Sequence, residues 1–201
     1  MALRQTRSHI ETMTQPLRLL AIASAAFALT GAAPATLKTA VFAGGCFWSM
    51  EHDLEPVPGV VNVVSGYAGG TSANPNYDNH GGHLESVQVT YDPARISYSQ
   101  LVSRYLRASD PTDAGGAFCD RGPSYAPAIF AATPQEQQAA RAAIAAAQPH
   151  VKGRIITPVR GPVRFWNAEG YHQDYARKNP VQYQMYRIGC GKDRRLKAIW
   201  S

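Results

Sequence analysis

The chain has 201 residues, 45% of them hydrophobic, which is enough to bury one full core and points to a single domain. Its 20 basic and 14 acidic side chains leave a formal charge of +6, but the basic residues are scattered. The only dense group, Lys192, Arg194, Arg195 and Lys197, reads as a solvated tail, so nucleic acid is excluded as a partner. Three cysteines, Cys46, Cys119 and Cys190, lack the number and spacing of a disulfide scaffold, and no Cys-x-x-Cys pair or His/Cys cluster offers zinc-like spacing, so no metal is expected.

Residues 1–35 read as a signal peptide. Arg4, Arg7 and Arg18 precede an apolar stretch from Leu19 to Ala33, Ala33-Pro34-Ala35 has the small residues of a cleavage site, and Met13 begins a compact leader. The stretch falls short of the roughly 20 apolar residues a membrane span needs, so a retained anchor is not expected. Residues 36–201 are then the single mature domain, periplasmic or secreted. In an oxidising compartment at least one pair of cysteines can be disulfide-bonded at rest.

Thr39 to Phe42 reads as a short strand, Gly44-Gly45 breaks it, and Phe47 to Leu54 has the composition of a helix. Cys46 therefore falls at the helix's first turn, where unpaired N–H groups and the positive end of the dipole favour a thiolate and lower its pKa. The glycines let another molecule approach the sulfur, and Phe47 and Trp48 supply apolar walls, which suits a small, partly apolar electrophile.

Val60 to Val64 is a β-branched strand, and Ser65 to Gly70 with Asn74-Pro75-Asn76-Tyr77 reads as loop. Glu85 to Tyr91 alternates, putting Glu85 on one face with Val87, Val89 and Tyr91, where a carboxyl is either solvated at a rim or buried with a raised pKa and able to donate a proton. Ser97 and Gln100 form a capping box for a helix with an apolar face of Leu101, Val102, Tyr105 and Leu106, which Asp110-Pro111 stops. A glycine-rich loop from Gly115 to Gly122 carries Cys119 and Asp120, Tyr125 follows, and Ala128 to Ala132 reads as a buried strand. This β-α-β-β-α-β order is the split βαβ, ferredoxin-like pattern, an α+β two-layer sandwich.

Thr133 caps a third helix with Pro134 at its first position, running to about Ala147. Ile155 to Val159 reads as an extra strand, and Ala168 to Lys178 as a short helix closed by Asn179-Pro180. The rest, with Gly189-Cys190-Gly191, is polar and glycine-interrupted and reads as a mobile tail.

Gly44-Gly45-Cys46-Phe47-Trp48-Ser49-Met50-Glu51, Gly66-Tyr67-Ala68-Gly69-Gly70, Asn74-Pro75-Asn76-Tyr77, Gly82-His83-Leu84-Glu85, Asp110-Pro111-Thr112, Asp120-Arg121-Gly122 and Tyr171-His172-Gln173 together resemble the A type of the peptide methionine sulfoxide reductase family, over nearly all of residues 39–180. The resemblance implies that Cys46 attacks the sulfoxide sulfur, that Glu85 donates the proton, that Tyr77 and Tyr125 hold the oxygen with Asp120 in the same polar set, and that Phe47 and Trp48 receive the substrate methyl group. It implies a sulfenic acid on Cys46, a resolving thiol on Cys190 or Cys119, and no cofactor beyond an external dithiol of thioredoxin type. Oxidised proteins or free methionine sulfoxide would be the substrates, and the enzyme would act as a monomer. Two other classes use the same residues: a Cys-His hydrolase pairing Cys46 with His83 or His172, and a thiol-bearing redox-sensing domain without turnover.

Overall fold

The computed structural model describes residues 36–200. The proposed leader, its start at Met13 and its cleavage at Ala35 lie outside the described residues. In chain order the elements are β1 (Lys38–Ala43), α1 (Phe47–Leu54), β2 (Val60–Ala68), β3 (Leu84–Tyr91), α2 (Tyr98–Ala108), β4 (Gly116–Ala117), β5 (Asp120–Arg121), β6 (Ala128–Phe130), α3 (Pro134–Ala147), β7 (Val159–Arg160), β8 (Phe165–Asn167), α4 (Tyr175–Lys178), α5 (Pro180–Gly189) and α6 (Lys192–Ile199). The fold is α+β. Six strands form one sheet in the order β7-β6-β1-β3-β2-β8, antiparallel throughout except for the parallel β6–β7 pair, and β4–β5 is a separate hairpin.

Strand alternation divides the apolar residues between the two faces of the sheet. Phe42, Val63, Tyr67, Val87, Val89 and Tyr91 meet Met50 and Leu54 of α1 and Leu101, Val102, Tyr105 and Leu106 of α2 in the main core. Their neighbours Ala43, Ala68 and Leu84 form a smaller cluster with Ala128 and Phe130 on the other face. Glu85 has the parity of Val87, so its carboxyl enters the main core side, paired across the sheet with Tyr67. The α2 capping box forms as the sequence requires, with Ser97 Oγ accepting from Gln100 N–H and Gln100 Oε1 accepting from Ser97 N–H at 2.9 Å. Gly66 is required where β8 crosses β2, because a Cβ there would come within 2.2 Å of the Trp166 carbonyl oxygen.

The buried Tyr105 hydroxyl donates to the Ala43 carbonyl at 2.6 Å, tying α2 to the end of β1 just before the Gly44-Gly45 turn. Tyr105→Phe should cost about 1–2 kcal/mol by orphaning that carbonyl. Urea unfolding would read this as a lower midpoint at unchanged slope.

Several sequence expectations are corrected. β2 runs on through Ser65 to Ala68 instead of ending in a loop, because β3 and β8 pair with it there. Only Val159 of the Ile155–Val159 run is strand, at the start of the two-residue β7. The helix expected over Ala168–Lys178 is a turn followed by the four-residue α4, and Pro180 opens the next helix instead of closing one. The C-terminal segment is no polar coil but two helices, α5 and α6. Their charges are paired: Lys192 lies buried 2.9 Å from Asp53, Arg187 lies 2.7 Å from Asp53, and Arg195 reaches Asp110 at 2.7 Å. Hydropathy sees such residues as solvated, whereas a matched carboxylate lets them pack.

Candidate active site

Cys46 is the N-cap of α1, with its carbonyl accepting from Ser49 and Met50 N–H, and its residue is 7% exposed. Gly45 before it has φ +95°, and a Cβ there would press within 2.8 Å of the Ala117 Cβ, so the turn that aims Cys46 needs a glycine. Gly45 N–H also donates to the Tyr125 carbonyl at 3.0 Å, which links the Cys46 turn to the loop carrying Asp120 and Tyr125.

Two carboxyls claim the amides around the sulfur. Glu85 Oε2 accepts from Phe47 N–H at 3.0 Å, and Asp120 accepts from the Cys46 N–H and from the Tyr186 hydroxyl. Glu85 is 2% exposed, and burial pushes its carboxyl up to about 8, opposed by the Phe47 hydrogen bond and aided by Asp120. Burial likewise raises Asp120, against its bonds to Tyr186 and Cys46.

The thiol is not activated at rest as the sequence implied. Burial raises the Cys46 pKa well above its ordinary value, and the nearby Glu85 and Asp120 raise it further, outweighing the Trp48 amide and Tyr186 hydroxyl that favour the thiolate. A helix N-terminus contributes about 0.3–1 kcal/mol to an anion near it. Here that is too little against desolvation, the more so because Glu85 and Asp120 already occupy donors at the helix start.

The other expected residues converge on the same place. Tyr77, 41% exposed, and the half-buried Tyr125 both lie within the electrostatic influence of Glu85, Asp120 and Cys46, which adds to burial in raising their hydroxyl pKa values. Phe47 is buried against Tyr67 and His172, with ring centroids 5.8 and 4.9 Å away. Trp48 stacks on Tyr175 at 3.7 Å, and its indole N–H donates to His172 Nδ1 at 3.0 Å. Cys119 and Cys190 are joined in a disulfide, and Cys46 is the free cysteine.

Neither histidine can serve Cys46 in a hydrolase. His172 accepts from Trp48 and is packed between Tyr77 and Tyr171, and burial lowers its pKa. His83 contacts Gly70 N–H and Ser72.

Sequence reasoning missed a second tier. Tyr186 on α5 reaches Asp120 and Cys46; Glu169 accepts from Tyr77 N–H at 2.8 Å and from the Tyr67 hydroxyl at 3.0 Å; Tyr175 floors Trp48. The i, i+3 spacing of Tyr183 and Tyr186 after Pro180 was the available signal for a packed helix. For a cation, the described residues offer one cluster, Glu51, Glu55 and Asp174, with oxygens within 4.8 Å of one another. Glu51 there is already engaged by Ser65 Oγ and Asp174 N–H, and burial lifts its carboxyl to about 7.

What the arrangement can do is deliver sulfur as nucleophile and a proton from a buried carboxyl to one small acceptor, beside the aromatic rings of Phe47 and Trp48, with the Cys119–Cys190 disulfide on the loop that carries Asp120. Comparison with known proteins agrees. The family model for peptide methionine sulfoxide reductase matches residues 38–201. A peptide methionine sulfoxide reductase, MsrA 2, of Caulobacter vibrioides is 49% identical over 194 residues, covering 92% of this chain and 98% of the relative. Its counterpart in Rhizobium meliloti is 47% identical over 177 residues, covering 87% of this chain and 89% of the relative. Among solved structures, methionine sulfoxide reductase A of Corynebacterium diphtheriae aligns with TM-score 0.66 at 33% identity, over 72% of this chain and 76% of that one. Mxr1 of Saccharomyces cerevisiae in reduced form aligns with TM-score 0.65 at 30% identity, over 72% and 87%. The chain belongs to the peptide methionine sulfoxide reductase family.

Proposed function

We propose that the convergence of Cys46, Glu85, Tyr77, Tyr125 and Asp120 is the catalytic centre for reducing the S epimer of methionine sulfoxide. The observation that carries the reading is a buried carboxyl, raised to about 8, bonded to the amide next to the nucleophile's own residue. Cys46 sulfur attacks the sulfoxide sulfur while Glu85 protonates the oxygen, with Tyr77 and Tyr125 holding that oxygen and Asp120 fixing the Cys46 backbone. The oxygen then passes to the Cys46 sulfur as its bond to the methionine sulfur and the new sulfur–sulfur bond both break, so methionine leaves and Cys46 becomes a sulfenic acid. The reaction consumes no net proton, because the proton Glu85 gives to the oxygen is replaced by the one the Cys46 thiol loses. Phe47 and Trp48 receive the methyl group. A second thiol, Cys190 or Cys119, then displaces water from the sulfenic acid to form a disulfide, and exchange leaves Cys119–Cys190 bonded with Cys46 free. An external dithiol donor of thioredoxin type reduces that pair and is itself oxidised.

The scaffold reading extends to a ferredoxin-like unit, supported by the order β6-β1-β3-β2 of the strands in β1-α1-β2-β3-α2-β6. Export of residues 36–201 by the leader and repair of oxidised exported proteins outside the cytoplasm belong to the same reading, supported by the Arg-led, Ala-rich start. The test is turnover of each sulfoxide epimer separately by residues 36–201 with excess dithiothreitol. Methionine should form from the S epimer alone, and a folded, reduced chain that turns over neither epimer would favour a redox sensor.

A further inference from the structure

Asp53 stands at the far end of α1, the helix that Cys46 caps, and its side chain is 16% exposed. Its two oxygens are divided between two cations of the C-terminal helices. Arg187 Nη1 of α5 lies 2.7 Å from Oδ1, and Lys192 Nζ of α6 lies 2.9 Å from Oδ2. Cys190 sits between those two cations, in the turn joining α5 to α6, with Gly191 in the left-handed region at φ +63°.

The cations are built in, not lying on the surface. Lys192 is 2% exposed, and its ammonium also stands 5.1 Å from the ring centroid of Phe118, the residue before Cys119. Arg187 is held from three sides, donating to Asp53, to the Tyr183 hydroxyl at 2.9 Å and to Asp193. The same α1 face adds His52, whose ring is 4.9 Å from that of Tyr183, and Ser49, 3.5 Å from the Tyr183 hydroxyl. One helix thus carries the nucleophile at its start and, at its end, the anchor for the turn bearing Cys190. A buried cation with its carboxylate removed is strongly disfavoured, so the turn has no equivalent alternative seat.

We infer that Asp53, through Arg187 and Lys192, is a positioning residue for the resolving step: it holds the Cys119–Cys190 pair in register with Cys46, and it takes no part in sulfoxide reduction itself. This rests on the reading in which Cys119 and Cys190 resolve the Cys46 sulfenic acid. The steps concerned are attack by one thiol sulfur of the pair on the sulfenic sulfur, with the S–OH bond breaking and water leaving as a disulfide to Cys46 forms, and then attack by the other thiol on that disulfide, which leaves the pair bonded and returns Cys46 to thiol. Their rate depends on holding the sulfurs in line, and a displacement on the order of 1 Å can cost about a hundredfold in such a reaction.

The experiment uses the reduced chain, excess methionine S-sulfoxide and no reductant, and follows the first equivalent of methionine and the loss of free thiols separately. For Asp53→Asn, methionine should form within about twofold of the native rate while thiol loss slows about tenfold or more. Asp53→Glu should recover part of the thiol rate, which a general loss of fold would not allow. Lys192→Met, which removes the other charge at similar length, should show the same split and covers the case in which Asp53→Asn does not fold. Equal slowing of both phases in the folded variants, or no change in either, overturns the inference. A native chain that forms methionine while its Cys119 and Cys190 thiols persist overturns the resolving assignment beneath it.

Discussion

Cys46→Ser should abolish turnover, by more than about 10⁴-fold with dithiothreitol in excess, measured as methionine formed from the S-sulfoxide. Serine is a favoured N-cap, so α1 should keep its start and thermal unfolding should stay at or above the native temperature. Loss of activity would then belong to the sulfur alone: an alkoxide does not form in this acidic, buried setting, and no oxygen counterpart of the sulfenic acid can be resolved by a thiol. The native site carries a companion expectation. Burial, aided by Asp120, holds Cys46 as a thiol, so the free enzyme should show no thiolate absorbance near neutral pH and should alkylate slowly. The low-pKa cysteine that a helix start suggests would do the opposite.

Glu85→Gln should lower kcat by about 10²–10⁴-fold, the usual contribution of a positioned general acid. The amide oxygen can still accept the Phe47 N–H, so geometry is kept and only the transferable proton is lost. In the native enzyme the rate should fall as pH rises through about 8, where Glu85 ionises, and the variant should lack that limb. Stability should fall with rising pH as well. Below about 4.5 folded and unfolded chains both hold the proton; between there and about 8 only the folded chain does, so this carboxyl destabilises the fold progressively as pH rises. Above pH 8 Glu85→Gln should be the more stable protein, by an amount on the order of a few kcal/mol at about 1.4 kcal/mol per unit of pKa. Urea unfolding at pH 6 and pH 9 would show the gap widening with pH, and a constant gap would place Glu85 in a solvated setting instead.

Local signals carried the core strand β3 and the starts of α2 and α3. The alternation from Glu85 to Tyr91 put the carboxyl on the core side, Ser97 with Gln100 began α2 within a residue, and Thr133-Pro134 did the same for α3. These devices act through neighbours in sequence, so spacing reveals them. The remainder depends on partners far apart in sequence. Trp48 is oriented by His172 across 124 residues, and Arg187 is made packable by Asp53 across 134. A segment such as Lys192–Ile199 reads as solvent-facing until its counter-charges are placed. The sign of the Cys46 shift was illegible for a related reason, since the helix start is local but burial and the two carboxyls come from β1, β3 and the Asp120 loop.

The depth of Cys46 bears on which oxidised proteins the enzyme can serve. With its residue 7% exposed, the sulfur can be met only by a side chain extended clear of its own polypeptide. A sulfoxide packed inside a folded client is out of reach until that client opens locally, so repair of such a site is set by the client's own opening equilibrium. Damaged methionines on frayed ends and loops would be mended first, and those in stable cores last.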